Sequence, residues 1–196
     1  MRFIGKLIIN LIAIAVLAVG GGLGSAWYMV EAGSRLTTRS FGPWTTWVAA
    51  GRPDADPYTR AHAARNALLP IASTLELSYL AKTDADGGQL QSVCDYSVTV
   101  EGMDGAWWSL AVFDRRGRLI PNAADRYAFN SDSAMREPDG RAVIVAARDA
   151  RPGNWLPVGG GKITFVLTVQ DARMAAAVQM GGAIKTLPTI RKLSCR

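Results

Sequence analysis

A run of 24 residues without a charged side chain, residues 7–30, constrains this chain more than any other feature of its sequence. At about 1.5 Å per residue, a helix over this run is about 36 Å long, enough to cross a hydrocarbon core of roughly 30 Å. Asn10 lies near the start of the run, whereas Trp27 and Tyr28 lie near its end, where an interfacial aromatic belt is expected. The run therefore predicts a transmembrane helix within an N-terminal signal-anchor segment, residues 1–33.

The charges around the run indicate its orientation. Arg2 and Lys6 precede it together with the amino terminus, and Glu31, Arg35 and Arg39 follow it. By the positive-inside rule, we expect an inner-membrane protein with a cytoplasmic N-terminus and a periplasmic C-terminal domain. The alternative is a secretory signal that is cleaved near the small residues 24–26. Both the anchor and the cleaved signal would export the remainder of the chain. Only the anchor makes the lipid bilayer a partner of the mature protein.

Small residues recur at a spacing of four within the run. Gly20 and Gly24 form one pair, and Ala18 and Gly22 form a second pair on the neighbouring track of the helix. This spacing lets another helix approach closely in lipid, so it predicts a membrane-protein partner that packs on the transmembrane helix. The alternative is that glycine and alanine are simply common in membrane helices and signal peptides.

The composition excludes several kinds of site. The single histidine, His62, rules out any metal centre that needs two histidines, and we interpret it as an ordinary helix residue. The chain contains no phosphate-binding loop, no nucleophile elbow and no complete calcium loop. The sequence therefore predicts no catalytic residue, no metal and no cofactor.

The basic charge of the chain has no clear ligand. A net charge of +6 would suggest nucleic acid as the partner of a cytoplasmic protein, but the expected export argues against nucleic acid. The basic residues form two local clusters: Arg115, Arg116 and Arg118 at a turn, and Arg191, Lys192 and Arg196 at the tail. These clusters are either solvated turns or contacts for anionic lipid headgroups or acidic polysaccharide.

Two cysteines, Cys94 and Cys195, are the only ones in the chain. In an oxidising compartment, this count predicts one disulfide. It would close a loop of about 100 residues and stabilise the domain by about 4–5 kcal/mol in the chain-entropy model. The alternative is a pair of thiols that never meet.

The exported part divides into a linker and a domain. We assign residues 34–56 to an amphipathic linker, because Trp44, Trp47 and Val48 fall on one face of a short helix. A helix is predicted to begin at Pro57, since proline suits the first turn. Residues 57–196 are predicted to form a periplasmic β-sandwich domain.

From residue 75, short stretches of alternating hydrophobicity are separated by turn residues. In residues 93–101, for example, Cys94, Tyr96, Val98 and Val100 share one face. The predicted strands are residues 75–82, 93–101, 107–114, 118–120, 126–130, 142–148 and a last one around 163–169. This spacing predicts a mainly β fold, an antiparallel, jelly-roll-like β-sandwich with one or two short helices.

The order of several sequence phrases is typical of one family. These phrases are DPYTRA at 56–61, Tyr79 followed by Asp84 and Gly87, YSV at 96–98, WWSL at 107–110, Arg126-Tyr127 and NWLP at 154–157. Together they resemble the bacterial domain of unknown function family twelve-fourteen, in a short membrane-anchored form of the kind seen in alphaproteobacteria. The resemblance covers roughly residues 53–193. It implies a mostly antiparallel β domain and no established activity.

The aromatic residues of these phrases have two interpretations. Trp107, Trp108, Asn154 and Trp155 are either packing residues or a platform on which sugar rings stack. The function we expect is that of a binding or accessory module, either an envelope component that binds a glycan or lipid or a subunit of a membrane complex. The alternative is a periplasmic carbohydrate-active hydrolase or lyase, which would use these tryptophans and a pair of turn carboxylates.

Overall fold

The computed structural model describes residues 2–66, 68–103, 106–182 and 187–195. Within these ranges the helices are α1 (Arg2–Ala32), α2 (Pro57–Arg65) and α3 (Ala172–Gln179). The strands are β1 (Thr38–Phe41), β2 (Trp44–Trp47), β3 (Glu76–Ala81), β4 (Cys94–Val100), β5 (Trp107–Asp114), β6 (Ala128–Asn130), β7 (Ala142–Ala147), β8 (Asn154–Pro157), β9 (Ile163–Gln170) and β10 (Thr189–Cys195).

The strands form two sheets. The six-stranded sheet has the order β1-β2-β3-β9-β5-β6, and all of its neighbouring strands are antiparallel. The four-stranded sheet has the order β10-β4-β7-β8, and its β7–β8 pair is parallel. The predicted mainly β, sandwich-like class is confirmed, with this one parallel pair as an addition.

The core lies between the two sheets and is built from alternating side chains. The four residues of β4 that we expected on one face are buried, as are Ile163, Phe165, Leu167 and Val169 of β9. Tyr96 of β4 meets Phe165 of β9 edge to face, with ring centroids 6.4 Å apart. Because a half-buried strand exposes every second side chain, the alternation in the sequence predicts which faces meet.

The predicted amphipathic helix around Trp44 is wrong, since these residues form the β1–β2 hairpin. Gly42 and Pro43 connect the strands, and Gly42 has a φ of 58°, which suits the first position of a two-residue hairpin loop. Trp44 pairs with Ala81 of β3, and the hairpin therefore extends the six-stranded sheet. Residues 38–47, which we assigned to a linker, are part of that sheet.

The other elements match the sequence to different degrees. Strand β5 has the predicted bounds, and β3, β4 and β7 lie within the predicted ranges. The strand predicted at 118–120 is wrong, because this segment contributes only an isolated bridge between Phe113 and Leu119. Helix α2 begins at Pro57 as predicted, since Asp56 accepts hydrogen bonds at 3.0 Å from the backbone N–H of both Tyr58 and Thr59.

Candidate functional site

The first candidate site is the junction at which α1 joins the β domain. The last carbonyl groups of a helix have no partner within the helix. Here the Val30 carbonyl oxygen accepts a hydrogen bond of 2.8 Å from Nδ1 of His62 in α2. Because a carbonyl oxygen only accepts, Nδ1 carries the proton of this imidazole. The single histidine of the chain therefore caps α1 from a neighbouring element.

Three further contacts close the junction. The Trp47 ring stacks on the His62 ring, with centroids 4.1 Å apart and planes inclined by 21°. Arg65 lies 3.4 Å from the Glu31 carboxylate in a half-exposed ion pair. Gly33, with a φ of 71°, packs so closely that a Cβ at this position would lie 2.5 Å from Cγ2 of Thr38. The chain therefore leaves α1 in a closely packed turn that β2 and α2 cover.

The environment of His62 favours its neutral form. Burial lowers the pKa of His62, and Lys82 acts in the same direction, whereas the bond to Val30 and the charge of Glu31 oppose the change. The imidazole at the junction is therefore neutral at pH 7.

Acidification is expected to weaken the folded state through His62. Between about pH 6.5 and the lower pKa of the folded state, unfolded chains bind more protons at this histidine, so stability falls as the pH falls. We expect the denaturant midpoint of the full chain in detergent to drop more between pH 7 and pH 5 than that of His62→Phe. Phenylalanine keeps a ring against Trp47 but does not titrate. Equal pH profiles for the two proteins would contradict the assignment.

The second candidate site is a cavity of about 560 Å³ beside the turn that follows β5. The lining residues are Asp114, Arg115, Arg116, Arg118, Ile120, Pro121, Gly159 and Gly160. The cavity therefore contains the first of the two basic clusters, three arginines from one turn. In the second cluster, Arg191 and Lys192 lie on β10, and Arg196 lies outside the described residues.

One carboxylate partly balances the charge of this cavity. Asp114 accepts hydrogen bonds from the backbone N–H of Arg118 at 2.9 Å and of Arg116 at 2.7 Å. These bonds and the ion pair with Arg118, at 3.0 Å, hold the pKa of Asp114 below its usual value. Arg115 and Arg116 form no ion pair within the described part of the chain, so positive charge is in excess.

The junction and the arginine cavity lie towards opposite ends of the six-stranded sheet. Asp114, at the cavity, ends β5, and the first residue of that strand, Trp107, pairs with Gln170 of β9. Gln170 also pairs with Glu76, the first residue of β3, so Trp107 and Glu76 lie at the same end of the sheet. Strand β2 begins opposite Ala81, the last residue of β3, and runs towards the end at which Glu76 lies. Trp47 of the junction is therefore level with Ser109 of β5, five residues or about 17 Å from Asp114 along the strand direction. The cavity therefore lies on the side of the domain away from α1.

The four residues of the proposed aromatic platform lie in different places. Trp108 is 1% exposed and lies in the core, whereas Trp107, on the opposite face of β5, is 36% exposed and donates to Asp132 at 3.2 Å. Trp155 lies on β8 in the other sheet and donates from Nε1 to the Ala147 carbonyl at 2.9 Å. Within the described ranges, no ring contact joins these tryptophans.

Asn154 has a clear structural part in the fold. Its buried side chain accepts a hydrogen bond from the Met135 N–H at 2.7 Å and donates to the Met135 and Val143 carbonyls at 2.8 and 3.0 Å. It thereby ties the turn after β6 to β7. Because all three bonds go to backbone groups, this amide is occupied by the fold.

Arg126 is a residue that we did not single out. Its guanidinium carbon lies 5.5 Å from the ring centroid of Phe129 and 6.0 Å from that of Trp155, and it donates to the Trp155 carbonyl at 3.1 Å. This arrangement is a cation–π contact. The contact joins two of the family phrases, Arg126-Tyr127 and NWLP. It also covers a face of the Trp155 ring with the Arg126 side chain, and a sugar would need a ring face on which to stack.

The two cysteines form the predicted disulfide between Cys94 and Cys195. They are paired directly across β4 and β10, so the bond fastens the end of the chain to the four-stranded sheet. Two of the turn carboxylates considered for a hydrolase take part in local ion pairs: Asp114 pairs with Arg118 at 3.0 Å, and Asp139 pairs with Arg141 at 2.7 Å. No metal-ligand cluster occurs among the residues with described positions.

The small-residue stripe of α1 faces open space. A Cβ placed at Gly20, Gly22 or Gly24 would meet no atom within 4 Å, and Ala18 is exposed as well. Nothing in the part of the chain that the structure describes covers the stripe.

These features define a two-sheet β domain that is joined closely to the end of one long apolar helix. The chain belongs to the family described as Protein of unknown function (DUF1214), whose model matches residues 76–174. This match confirms the family that the sequence phrases resemble. The junction, with all of α2, precedes the matched region, whereas the arginine cavity and Arg126 lie within it.

Two solved structures match this chain, and the first of them has a similar fold. The VPA0106 protein from Vibrio parahaemolyticus matches with a TM-score of 0.61 and 15% identity, over 94% of this chain and 46% of that chain. An uncharacterised protein from Burkholderia cenocepacia matches with a TM-score of 0.39 and 19% identity, over 74% of this chain and 46% of that chain. This chain thus spans slightly less than half of the first structure, and the likeness to it shows the fold alone. A comparison with curated proteins finds no match.

Sequence reasoning missed the role of His62. The available signal was weak: a lone histidine in the first helix after the apolar run. The contact with Val30 joins residues 32 positions apart, and no local sequence pattern predicts a hydrogen bond over that separation.

Proposed function

We propose that this protein is a single-pass, membrane-anchored binding or accessory domain that works on the periplasmic side of the inner membrane. The proposal rests on the exposed apolar surface of α1. Over residues 4–32 this helix is long and apolar enough to cross a membrane, and its most apolar stretch is not buried inside the protein. A helix with such a surface requires an apolar solvent, and lipid supplies one.

The disulfide and the junction support this proposal. Disulfides persist in oxidising compartments such as the periplasm, which agrees with an exported domain. The bonds of His62 and Arg65 to the end of α1 hold the domain close to the point where the helix leaves the membrane. Such a domain acts at a fixed place on the membrane surface, as an accessory subunit or an envelope-binding module does.

The location is tested with a reporter and a membrane wash. We expect alkaline phosphatase fused to the C-terminus to be active, and the full chain to stay with the membranes after an alkaline carbonate wash. Val16→Arg should reduce membrane retention, because an arginine at the helix centre costs about 2.5–3.5 kcal/mol on insertion scales, whereas Leu119→Arg on the domain should not. An inactive phosphatase on a fusion that is produced at full length would contradict the export, and a mature chain that lacks α1 would contradict the anchor.

We also propose that the arginine cavity binds an anionic envelope ligand. Arg115 and Arg116 leave it with excess positive charge, and two arginine forks suit carboxylate or phosphate groups. Since the cavity lies away from α1, a ligand in the periplasmic space reaches it more directly than the headgroups of the anchoring membrane do. This favours an acidic glycan over a lipid.

Binding is measured by calorimetry with two probes, an oligogalacturonate and a short-chain phosphatidylglycerol. We expect the oligogalacturonate to bind, and the Arg115→Glu/Arg116→Glu variant to bind it at least about tenfold more weakly, a loss of about 1.4 kcal/mol. The variant Arg191→Glu/Lys192→Glu makes the same change in charge on β10 and should bind normally. Equal losses in both variants, or no binding by the native protein, would contradict this site.

A further inference from the structure

Exposed apolar side chains follow both helices of the junction, one of them after α1 and three after α2. We name Leu36, Leu68, Leu69 and Ile71 the apolar collar. Leu36 is 91% exposed and Leu69 is 95% exposed, while Leu68 and Ile71 are about half exposed. A leucine that stays exposed to water does not gain the free energy that burial of its apolar surface would give. Burial of this group against a partner surface would recover that gain.

The collar lies at the end of α1. Leu36 is in the turn that follows Gly33, and the backbone N–H of Leu36 donates a hydrogen bond of 3.2 Å to the Ser34 hydroxyl. Leu68 follows Arg65 by three residues, and its N–H donates to the Ala63 carbonyl at 2.9 Å. Helix α2, which precedes Leu68, is the element that contacts Val30 and Glu31. In the chain, Leu36 thus lies four residues after the end of α1, and Leu68 and Leu69 lie three and four residues after Arg65, which contacts Glu31.

The aromatic residues of α1 indicate how deep the collar lies relative to the membrane interface. Trp27 and Tyr28 are more than half exposed and mark the membrane interface in the proposed anchor. Glu31 lies three residues after Tyr28, a rise of about 4.5 Å along the helix axis. Residues attached at the level of Glu31 therefore face the headgroups and the start of the acyl chains.

We propose that the apolar collar inserts into the leaflet of the same bilayer that holds α1, so that the β domain rests on the membrane surface. This inference rests on the proposed membrane anchor. Two features favour lipid over a protein partner: Leu36 follows the apolar helix α1 after only a short turn, and exposed Arg35 beside it suits a lipid phosphate. The domain then has a fixed orientation, with its arginine cavity towards the periplasm.

The test places single fluorescent labels on the full chain in lipid vesicles. Both native cysteines are in the disulfide and no free cysteine is present among the described residues, so an engineered cysteine provides a unique thiol for a nitrobenzoxadiazole label. The test positions are Leu36→Cys and Leu69→Cys. Val16→Cys, in the middle of α1, is the lipid control, and Leu119→Cys, an exposed leucine at the far end of the sheet, is the water control. The vesicles contain phosphatidylethanolamine and phosphatidylglycerol, with or without brominated acyl chains.

We expect the labels at residues 36 and 69 to show blue-shifted emission that brominated lipid quenches, as at residue 16, and the label at residue 119 to show neither effect. Quenching at residue 16 with water-like emission at residues 36 and 69 would overturn the collar and leave the anchor intact. Water-like emission at residue 16 would overturn the anchor itself. Blue-shifted emission at the collar without quenching by brominated lipid would place the labels against protein, either a second copy of this chain or its own β domain, and would overturn the lipid proposal.

Discussion

Replacement of both cysteines, Cys94→Ser with Cys195→Ser, is expected to lower the free energy of unfolding by about 4 kcal/mol. The disulfide joins residues separated by 101 positions, and a crosslink over a loop of that length removes much of the entropy of the unfolded chain. The effect is measured by denaturant unfolding of the full chain in detergent. Because typical domains are stable by only about 5–15 kcal/mol, this change affects a large part of the total.

The position of β10 makes the disulfide important for this strand. Strand β10 is at the edge of the four-stranded sheet, and Ile190 is its only buried residue. Its attachment therefore depends on the hydrogen bonds to β4 and on the covalent link more than on apolar burial. Reductant should weaken the native protein and leave the double variant unchanged, which separates the loss of the bond from the effect of serine. A double variant as stable as the native protein would contradict this prediction.

The second large effect is expected at Trp44. Its side chain is 1% exposed, and Nε1 donates to the Pro188 carbonyl at 2.6 Å. Trp44→Ala leaves a large cavity and an unsatisfied carbonyl, so we expect a loss of about 3–5 kcal/mol in the free energy of unfolding. The measurement is denaturant unfolding under the same conditions as for the cysteine variant.

Trp107→Ala is the matched control for Trp44. Trp107 also has one hydrogen bond from Nε1, to Asp132, but its ring lies on the outer face of β5. Removal of this ring should cost about 1 kcal/mol, which is ordinary for a partly exposed residue. If both variants lost the same free energy, the β1–β2 hairpin would not be part of the core, and the helical interpretation of this segment would return.

The two candidate sites give the molecule two distinct ends. The junction, with His62 and Trp47, holds the domain against the end of α1. The arginine cavity lies at the other end of the six-stranded sheet, where β5 ends. If α1 spans a membrane as we propose, this arrangement holds the arginine cavity at a constant distance from that membrane.

The correct strand predictions came from local alternation. Strands β4, β5 and β9 each place one face in the core, so their side-chain pattern shows both their position and their orientation. Strands β1, β2, β8 and β10 gave no such pattern, because they are short or lie at the edges of the sheets. The spacing of Trp44 and Trp47 fits a helix as well as a strand, and only the pairing with β3 decides between them.

The sequence by itself determined that an apolar helix precedes a β domain, that α2 begins at Pro57 and that two cysteines are available for one bond. These features depend on neighbouring residues, whose chemistry is visible in the order of the chain. Only the tertiary structure decided that His62 caps α1, that Arg126 covers Trp155 and that the arginine cavity lies away from the junction. Each of these contacts joins residues about 30 or more positions apart or depends on sheet register, and the free energy of the whole packed fold determines it.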